Sequence, residues 1–132
     1  MPNEFSFYSG FSNNNIGCEF EREVFELLIN EGYSVASNLV ISHYNRRMEI
    51  DMMAFNNDQL IAISCRNALD VNCLMSFRLD IKHKANKIEH RMRLLNADSA
   101  RLYIKVTKEN YNRLVDFEGT WIKSVEIIFI TE

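Results

Sequence analysis

Between Arg46 and Arg66 the chain reads RRMEIDMMAFNNDQLIAISCR, and this stretch limits what the rest can become. Met48, Ile50, Met52 and Ala54 fall on one face and Glu49 and Asp51 on the other, the period-2 pattern of a strand. Asn56-Asn57-Asp58-Gln59 forms a polar turn, and Leu60 to Ile63 is a second apolar run ending in Ser64-Cys65-Arg66. Two adjacent strands are expected. Asp51 lies in the middle of this β-rich apolar segment, where a carboxylate is expensive unless something pairs with it.

The flanking sequence supplies the other layers. Gly17 to Gly32 is an amphipathic helix: Phe20, Val24, Leu27 and Leu28 follow i, i+4, i+7, i+8, and Gly32 is the stop. Glu19, Glu23 and Glu26 lie opposite that stripe as solvated surface, whereas Glu21 falls roughly 20° from Leu28 at 100° per residue. Tyr33 to His43 reads as a strand, bent or interrupted at Ser37-Asn38. After the polar loop Asn67–Asn72, Leu74, Phe77, Ile81, Ala85, Ile88, Met92 and Leu95 mark a long helix over Cys73–Leu95.

Beside that stripe runs a charged row, Asp80, Lys84, Lys87 and Arg91. One reading is a solvated face with an ordinary Asp80–Lys84 pair, and it suits Arg78 and Arg93 on the other flank. The other reading gives Lys84, Lys87 and Arg91 to phosphate contacts, because they lead away from Asp80 along one line. His83 and His90 lack metal-pair spacing and read as surface. Arg101–Val106 alternates like a half-exposed strand. Thr107 caps a short helix to about Phe117, with Tyr111, Leu114 and Val115 inward. Gly119 ends it, Trp121 packs over the core, and Val125–Ile130 is the last strand. The order α, β, β, β, α, β, short α, β predicts an α/β fold with a mixed sheet.

At 132 residues one domain is expected, residues 17–132, preceded by an aromatic and polar arm over 1–16. The arm carries Phe5, Phe7, Tyr8 and Phe11 and reads as a partly ordered terminus or a segment that packs on the domain or a partner. Net charge is −3, so a nucleic-acid partner requires a local basic surface. Cys18, Cys65 and Cys73 are odd in number and lack CxxC spacing, which fits buried thiols in a reducing cytoplasm and argues against a zinc site. No run reaches transmembrane length, so a soluble cytoplasmic protein is expected, without a membrane partner. A P-loop, a nucleophile elbow and an HExxH pattern are all missing from the sequence.

The EID strand, the hairpin and the Ser64-Cys65-Arg66 end resemble the PD-(D/E)xK nuclease superfamily, the restriction-endonuclease-like fold. The pattern is closest to nuclease domains of Mrr-type enzymes and CRISPR ancillary nucleases, and it extends from Gly17 to about Ile130. The resemblance implies an αβββαβ core with a mixed central sheet flanked by helices. It also implies Mg²⁺ or Mn²⁺ held by oxygen ligands, with Asp51 and the backbone carbonyl of Cys65 among them.

This chain departs from the acidic-x-Lys pattern, with Ser64 at the acidic position and Arg66 at the lysine. In parts of the superfamily that acid has migrated to the following helix, which makes Asp80 the replacement. Glu21, in a Phe-Glu pair like those of the superfamily's first helix, is a further metal ligand or an edge glutamate satisfied by Arg22 or a lysine. Glu49 is held in reserve. Arg66 is fixed in charge, so it either holds the scissile phosphate or salt-bridges Asp51.

Two functions follow as expectations. One is an endonuclease with a rearranged site in which Asp51, Asp80 and Glu21 converge. The other is a catalytically inactive nuclease fold, with an Arg66–Asp51 bridge, that binds nucleic acid or a partner protein. In both, Lys84, Lys87, Arg91, Arg46 and Arg47 contact DNA or RNA, and a homodimer or a regulatory partner is a further possibility. A purely protein-binding module would rest on the aromatic arm.

Overall fold

The computed structural model describes residues 7–8, 19–122 and 124–132, with the side chains of 19–118 and 124–132. Helix α1 (Glu19–Asn30) buries Phe20, Val24 and Leu28 of the expected stripe, whereas Leu27, expected with them, is exposed. It stops where Gly32 takes a φ of +96° and the N–H groups of Gly32 and Tyr33 donate to the carbonyls of Ile29 and Leu28. That double bond pattern needs a left-handed residue, which glycine supplies without strain.

Strands β2 (Ser34–His43), β3 (Arg46–Phe55) and β4 (Leu60–Asn67) form the expected antiparallel meander. Tyr44 and Asn45 both have positive φ, the backbone of a two-residue hairpin turn matched to strand twist. Helix α2 (Leu74–Leu94) then carries the chain over to β5 (Ser99–Val106), parallel to β4. Helix α3 (Lys108–Leu114) is capped by Thr107, whose hydroxyl accepts the Asn110 N–H at 3.2 Å. A 3₁₀ turn (Val115–Phe117) leads to β6 (Gly119–Ile122) and β7 (Val125–Thr131), the latter parallel to β5.

One seven-stranded mixed sheet results, in the order β1-β2-β3-β4-β5-β7-β6. The short β1 (Phe7–Tyr8), from the aromatic arm, pairs with Ile41 and Val40 at the β2 edge. The protein is α/β, and the order α-β-β-β-α-β expected from the sequence is present within it. No helix among the described residues is long and apolar enough to cross a membrane. The remainder of the arm, Cys18 and the Trp121 side chain lie outside the described residues.

The sheet separates two cores. Phe20, Val24 and Leu28 of α1 pack with Met52, Ile61, Ile63 and Tyr103 on one face. Phe77, Ile81, Ala85, Ile88 and Met92 of α2 pack with Ala62, Leu102, Ile104 and Ile127 on the other. Each large side chain fully buried here contributes about 1.5–3 kcal/mol relative to exposure, so these two stripes fix where the helices sit.

Three local expectations are corrected. β5 is not half-exposed: Leu102, Tyr103 and Ile104 are all buried, because the strand lies between β4 and β7 with cover on both faces. Val115 points outward and Phe117 takes its place in the core, since the α-helix ends at Leu114 and the tighter 3₁₀ turn rotates the residues after it. The third correction concerns β3. Ile50 packs in the α2-side core, whereas Met52 and Ala54 pack in the α1-side core, so these residues do not share one face. The strand switches faces at Asp51, across from Asn38, whose φ is +53°. The β2–β3 register runs from Ser37–Met52 to Leu39–Ile50 and skips this pair, so one left-handed residue breaks the pleat without inserting an extra one.

Candidate functional site

The crease at Asn38 and Asp51 coincides with a parting of strands. β3 and β4 pair from Phe55–Leu60 to Met52–Ile63 and then separate, β3 continuing with β2 and β4 with β5. Had the ladder continued, Ile50 would lie opposite Cys65. Instead the Asp51 carboxylate reaches across, its Oδ2 accepting the Cys65 N–H at 2.8 Å. In an extended strand the N–H and C=O of one residue leave from the same edge, so the Cys65 carbonyl also faces this gap. Asp51 thus receives its partner from the backbone.

Helix α2 forms the opposite wall. Its buried stripe of Ile81, Ala85 and Ile88 fixes the helix rotation, and that rotation turns Lys84, Lys87 and Arg91 toward the parted strands. The cavity holds about 230 Å³ and is lined by Glu49, Asp51, Ser64, Lys84, Lys87 and Arg91, with Ile50, Ile63 and Ile88. Three cations face two carboxylates, a local surplus of one positive charge in a chain of net charge −3. Among the described residues none of these five charged groups is in an ion pair, although pairs are common elsewhere: Arg78–Asp116 at 3.0 Å, Arg101–Glu31 at 3.4 Å and Lys105–Glu23 at 2.6 Å. Arg91 Nη1 donates to the Lys87 carbonyl at 3.3 Å, while its buried Nε has no hydrogen-bond partner among the described residues.

Arg66 and Asp80 are elsewhere. They line a second cavity of about 330 Å³ with Asp70, Asn72, Cys73 and Ser76 at the start of α2. The Arg66 guanidinium lies 5.8 Å from the Phe77 ring centroid and donates to the Asn67 carbonyl. No Arg66–Asp51 bridge and no Asp80–Lys84 pair occur among the described residues. Exposed Cys73, at the N-cap of α2, lies 3.4 Å from the Ser76 hydroxyl, and hydrogen bonds from Ser76 pull its thiol below the ordinary value.

Glu21 is half-buried on α1, across the sheet from α2, and lines neither cavity. Glu23, expected as solvated surface, holds Lys105 and raises the pKa of that amine. Arg46 and Arg47 are exposed where the β2–β3 hairpin closes, opposite His43 and Ser42, and also line neither cavity.

The structure therefore brings together Asp51, the Cys65 backbone, Lys84, Lys87 and Arg91, along with Ser64 and the reserve Glu49. It does not bring Asp80, Glu21, Arg66, Arg46 or Arg47 to them. Asp80 is one helical turn from Lys84, roughly 6 Å along the axis, and that step carries it past the end of the cleft. Sequence reasoning underrated Glu49. Its spacing of two from Asp51 was visible, but a strand that changes faces at Asp51 was not.

Among the described residues no group of three His, Cys, Asp or Glu side chains is placed to hold a metal. The Asp51 and Glu49 carboxylates, with the Cys65 carbonyl and the Ser64 hydroxyl, are all hard oxygen donors. That donor set suits Mg²⁺ or Mn²⁺, which bind through one or two carboxylates and take their remaining oxygens from water and substrate phosphate. No protein-family model matches the chain, and no curated protein matches it.

Proposed function

We propose that this protein cleaves nucleic-acid phosphodiesters with the help of a divalent metal, in the cleft bounded by β3, β4 and α2. One observation carries the reading: Asp51 shares a single cavity with Lys84, Lys87 and Arg91, and none of these charges is consumed by another. Unpaired cations around a carboxylate suit a ligand that is anionic yet needs a metal, and a phosphodiester is such a ligand.

Each residue has a role in this reading. Asp51 and Glu49, with the Cys65 carbonyl, would hold Mg²⁺ or Mn²⁺. When bound, such an ion polarises the phosphodiester and lowers the pKa of an attacking water. The Cys65 N–H fixes the Asp51 carboxylate, so one oxygen is oriented before any ligand arrives. Lys84 and Lys87 neutralise phosphate charge from the helix side and take over the place that an acidic-x-Lys lysine would fill. Ser64 can donate a hydrogen bond to a phosphate oxygen.

The second reading, binding without cleavage, is favoured by one feature: among the described residues the cleft holds two carboxylates and no third. Labelled single- and double-stranded DNA and RNA, incubated with Mg²⁺ or Mn²⁺, separate the two. Metal-dependent cleavage that disappears in Asp51→Asn while binding persists supports the enzyme. Binding without cleavage under every condition selects the second reading. Absence of both sinks the two together.

A further inference from the structure

We infer that the tip of the β2–β3 hairpin is a second nucleic-acid contact, where the Tyr44 ring stacks on an unpaired base and Arg46 and Arg47 hold the neighbouring phosphates. This role rests on the reading of the protein as one that cleaves phosphodiesters, and it makes the substrate a single strand.

Tyr44 and Asn45 are the two central residues of the hairpin turn, with φ of +49° and +64°. Such a turn selects Gly, Asn or Asp, because the left-handed conformation crowds a bulky side chain. Asn45 meets that demand and Tyr44 does not. Burial does not offset the strain, since Tyr44 is 57% exposed, more than any other aromatic side chain among the described residues. Its ring meets the His43 ring edge-on, with centroids 4.4 Å apart and planes at 73°, rather than stacking with it. A strained residue that is kept without being buried points to a ligand rather than to the core.

The charges beside it fit one kind of ligand. Arg46 and Arg47 are exposed and stand in no ion pair among the described residues. The carboxylates of this strand, Glu49 and Asp51, line the cleft further along. From Arg46 to Ile50 β3 pairs with β2 and not with β4, so the hairpin leads directly out of the parted strands. From Asp51 to Arg46 it covers roughly 16 Å at about 3.3 Å per residue. At about 3.4 Å per nucleotide, one strand bound at Asp51 reaches the tip within about five nucleotides. An aromatic plane flanked by guanidinium groups holds single strands, the ring taking a base and the cations the backbone. In a duplex the bases are already stacked on one another, and parting them costs free energy.

The test measures binding of one labelled oligonucleotide, single-stranded and as a duplex, without divalent metal so that no strand is cut. It compares the wild type with Tyr44→Phe, Tyr44→Asn, Arg46→Ala with Arg47→Ala, and Lys84→Ala with Lys87→Ala, and records thermal unfolding of each. Tyr44→Phe keeps the ring and is expected to bind as the wild type does. Tyr44→Asn suits the turn, so it is expected to unfold at the same or a higher temperature while binding the single strand about fivefold or more weakly. Its affinity for the duplex is expected to be unchanged. Loss of both arginines is expected to lower the salt slope of single-strand binding by about 1.4, two contacts at about 0.7 each.

Wild-type single-strand affinity in Tyr44→Asn overturns the inference and leaves the cleft reading standing, and so does an equal loss on the duplex. A lower unfolding temperature in Tyr44→Asn makes the ring a prop for the turn and also overturns it. An unchanged salt slope removes the arginines from the contact. If the double lysine variant binds normally while Tyr44→Asn does not, the hairpin contact survives and the assignment of the cleft fails. A wild type that binds neither form overturns both.

Discussion

Helix α2 borders two cavities that differ in how their charges are used. In the first, at the parted strands, Asp51, Glu49, Lys84, Lys87 and Arg91 gather without pairing. In the second, one turn toward the helix start, Arg66 is committed to the Phe77 ring and the Asn67 carbonyl, and Cys73 to Ser76. The residues that a linear motif would assign to one site, Asp51 with Arg66, thus fall in two. Two residues along a strand advance roughly 6.6 Å, and the motif's spacing does not say which way a side chain turns over that distance. What the first cavity lacks from its strand, it receives from the helix.

The sharpest way to break this comparison is at Asp51. Asp51→Asn is expected to lower metal-dependent cleavage by more than about 100-fold, the upper end of what outer-shell partners of a metal contribute. The corresponding Asp80→Asn change in the second cavity is expected to leave cleavage within about twofold, roughly 0.4 kcal/mol. Equal losses in the two variants, read in the same cleavage assay, would show that the cavities act as one.

The second comparison concerns stability. Asp51→Ala leaves the half-buried Cys65 N–H without its acceptor and is expected to cost about 1–3 kcal/mol in denaturant unfolding, whereas Asp51→Asn retains an acceptor oxygen and costs less. Arg66→Ala removes the contact with Phe77 and is expected to cost about 0.5–1 kcal/mol, the range for partly exposed cation–π pairs. If Arg66→Ala is the more damaging of the two, the relative weight given to the cavities is wrong.

The smallest effect is chemical. Ser76 holds the Cys73 thiol below its ordinary pKa, so more of it is thiolate near neutral pH than of an unperturbed cysteine. Site-resolved alkylation at neutral pH is expected to label exposed Cys73 faster than half-buried Cys65. Ser76→Ala should slow that labelling by raising the thiol, and an unchanged rate would remove Ser76 as the cause.

Much of the fold was legible because burial leaves a periodic trace. The α2 stripe, the α1 stripe apart from exposed Leu27, the Thr107 cap and the meander all follow from residue spacing and appear where that spacing put them. The basic row Lys84-Lys87-Arg91 was equally readable, since one helix face fixes it. What spacing could not convey was pairing between elements. That β3 leaves β4 at Met52, that Asn38 takes a left-handed conformation, and that Arg66 turns toward α2 each depend on contacts distant in sequence. Asn38 left a faint mark as a polar break in an apolar run, whereas Arg66 left none.

The central question is which cavity meets the ligand. The most direct measurement is the salt dependence of oligonucleotide binding for the wild type, for Lys84→Ala with Lys87→Ala, and for Arg66→Ala. Removing one phosphate contact lowers the slope of log affinity against log salt by about 0.7–0.9, so the double variant is expected to lose about 1.4–1.8 and Arg66→Ala almost nothing. A slope that falls with Arg66→Ala and stays unchanged when both lysines are removed would place the ligand in the second cavity and contradict the assignment of the cleft.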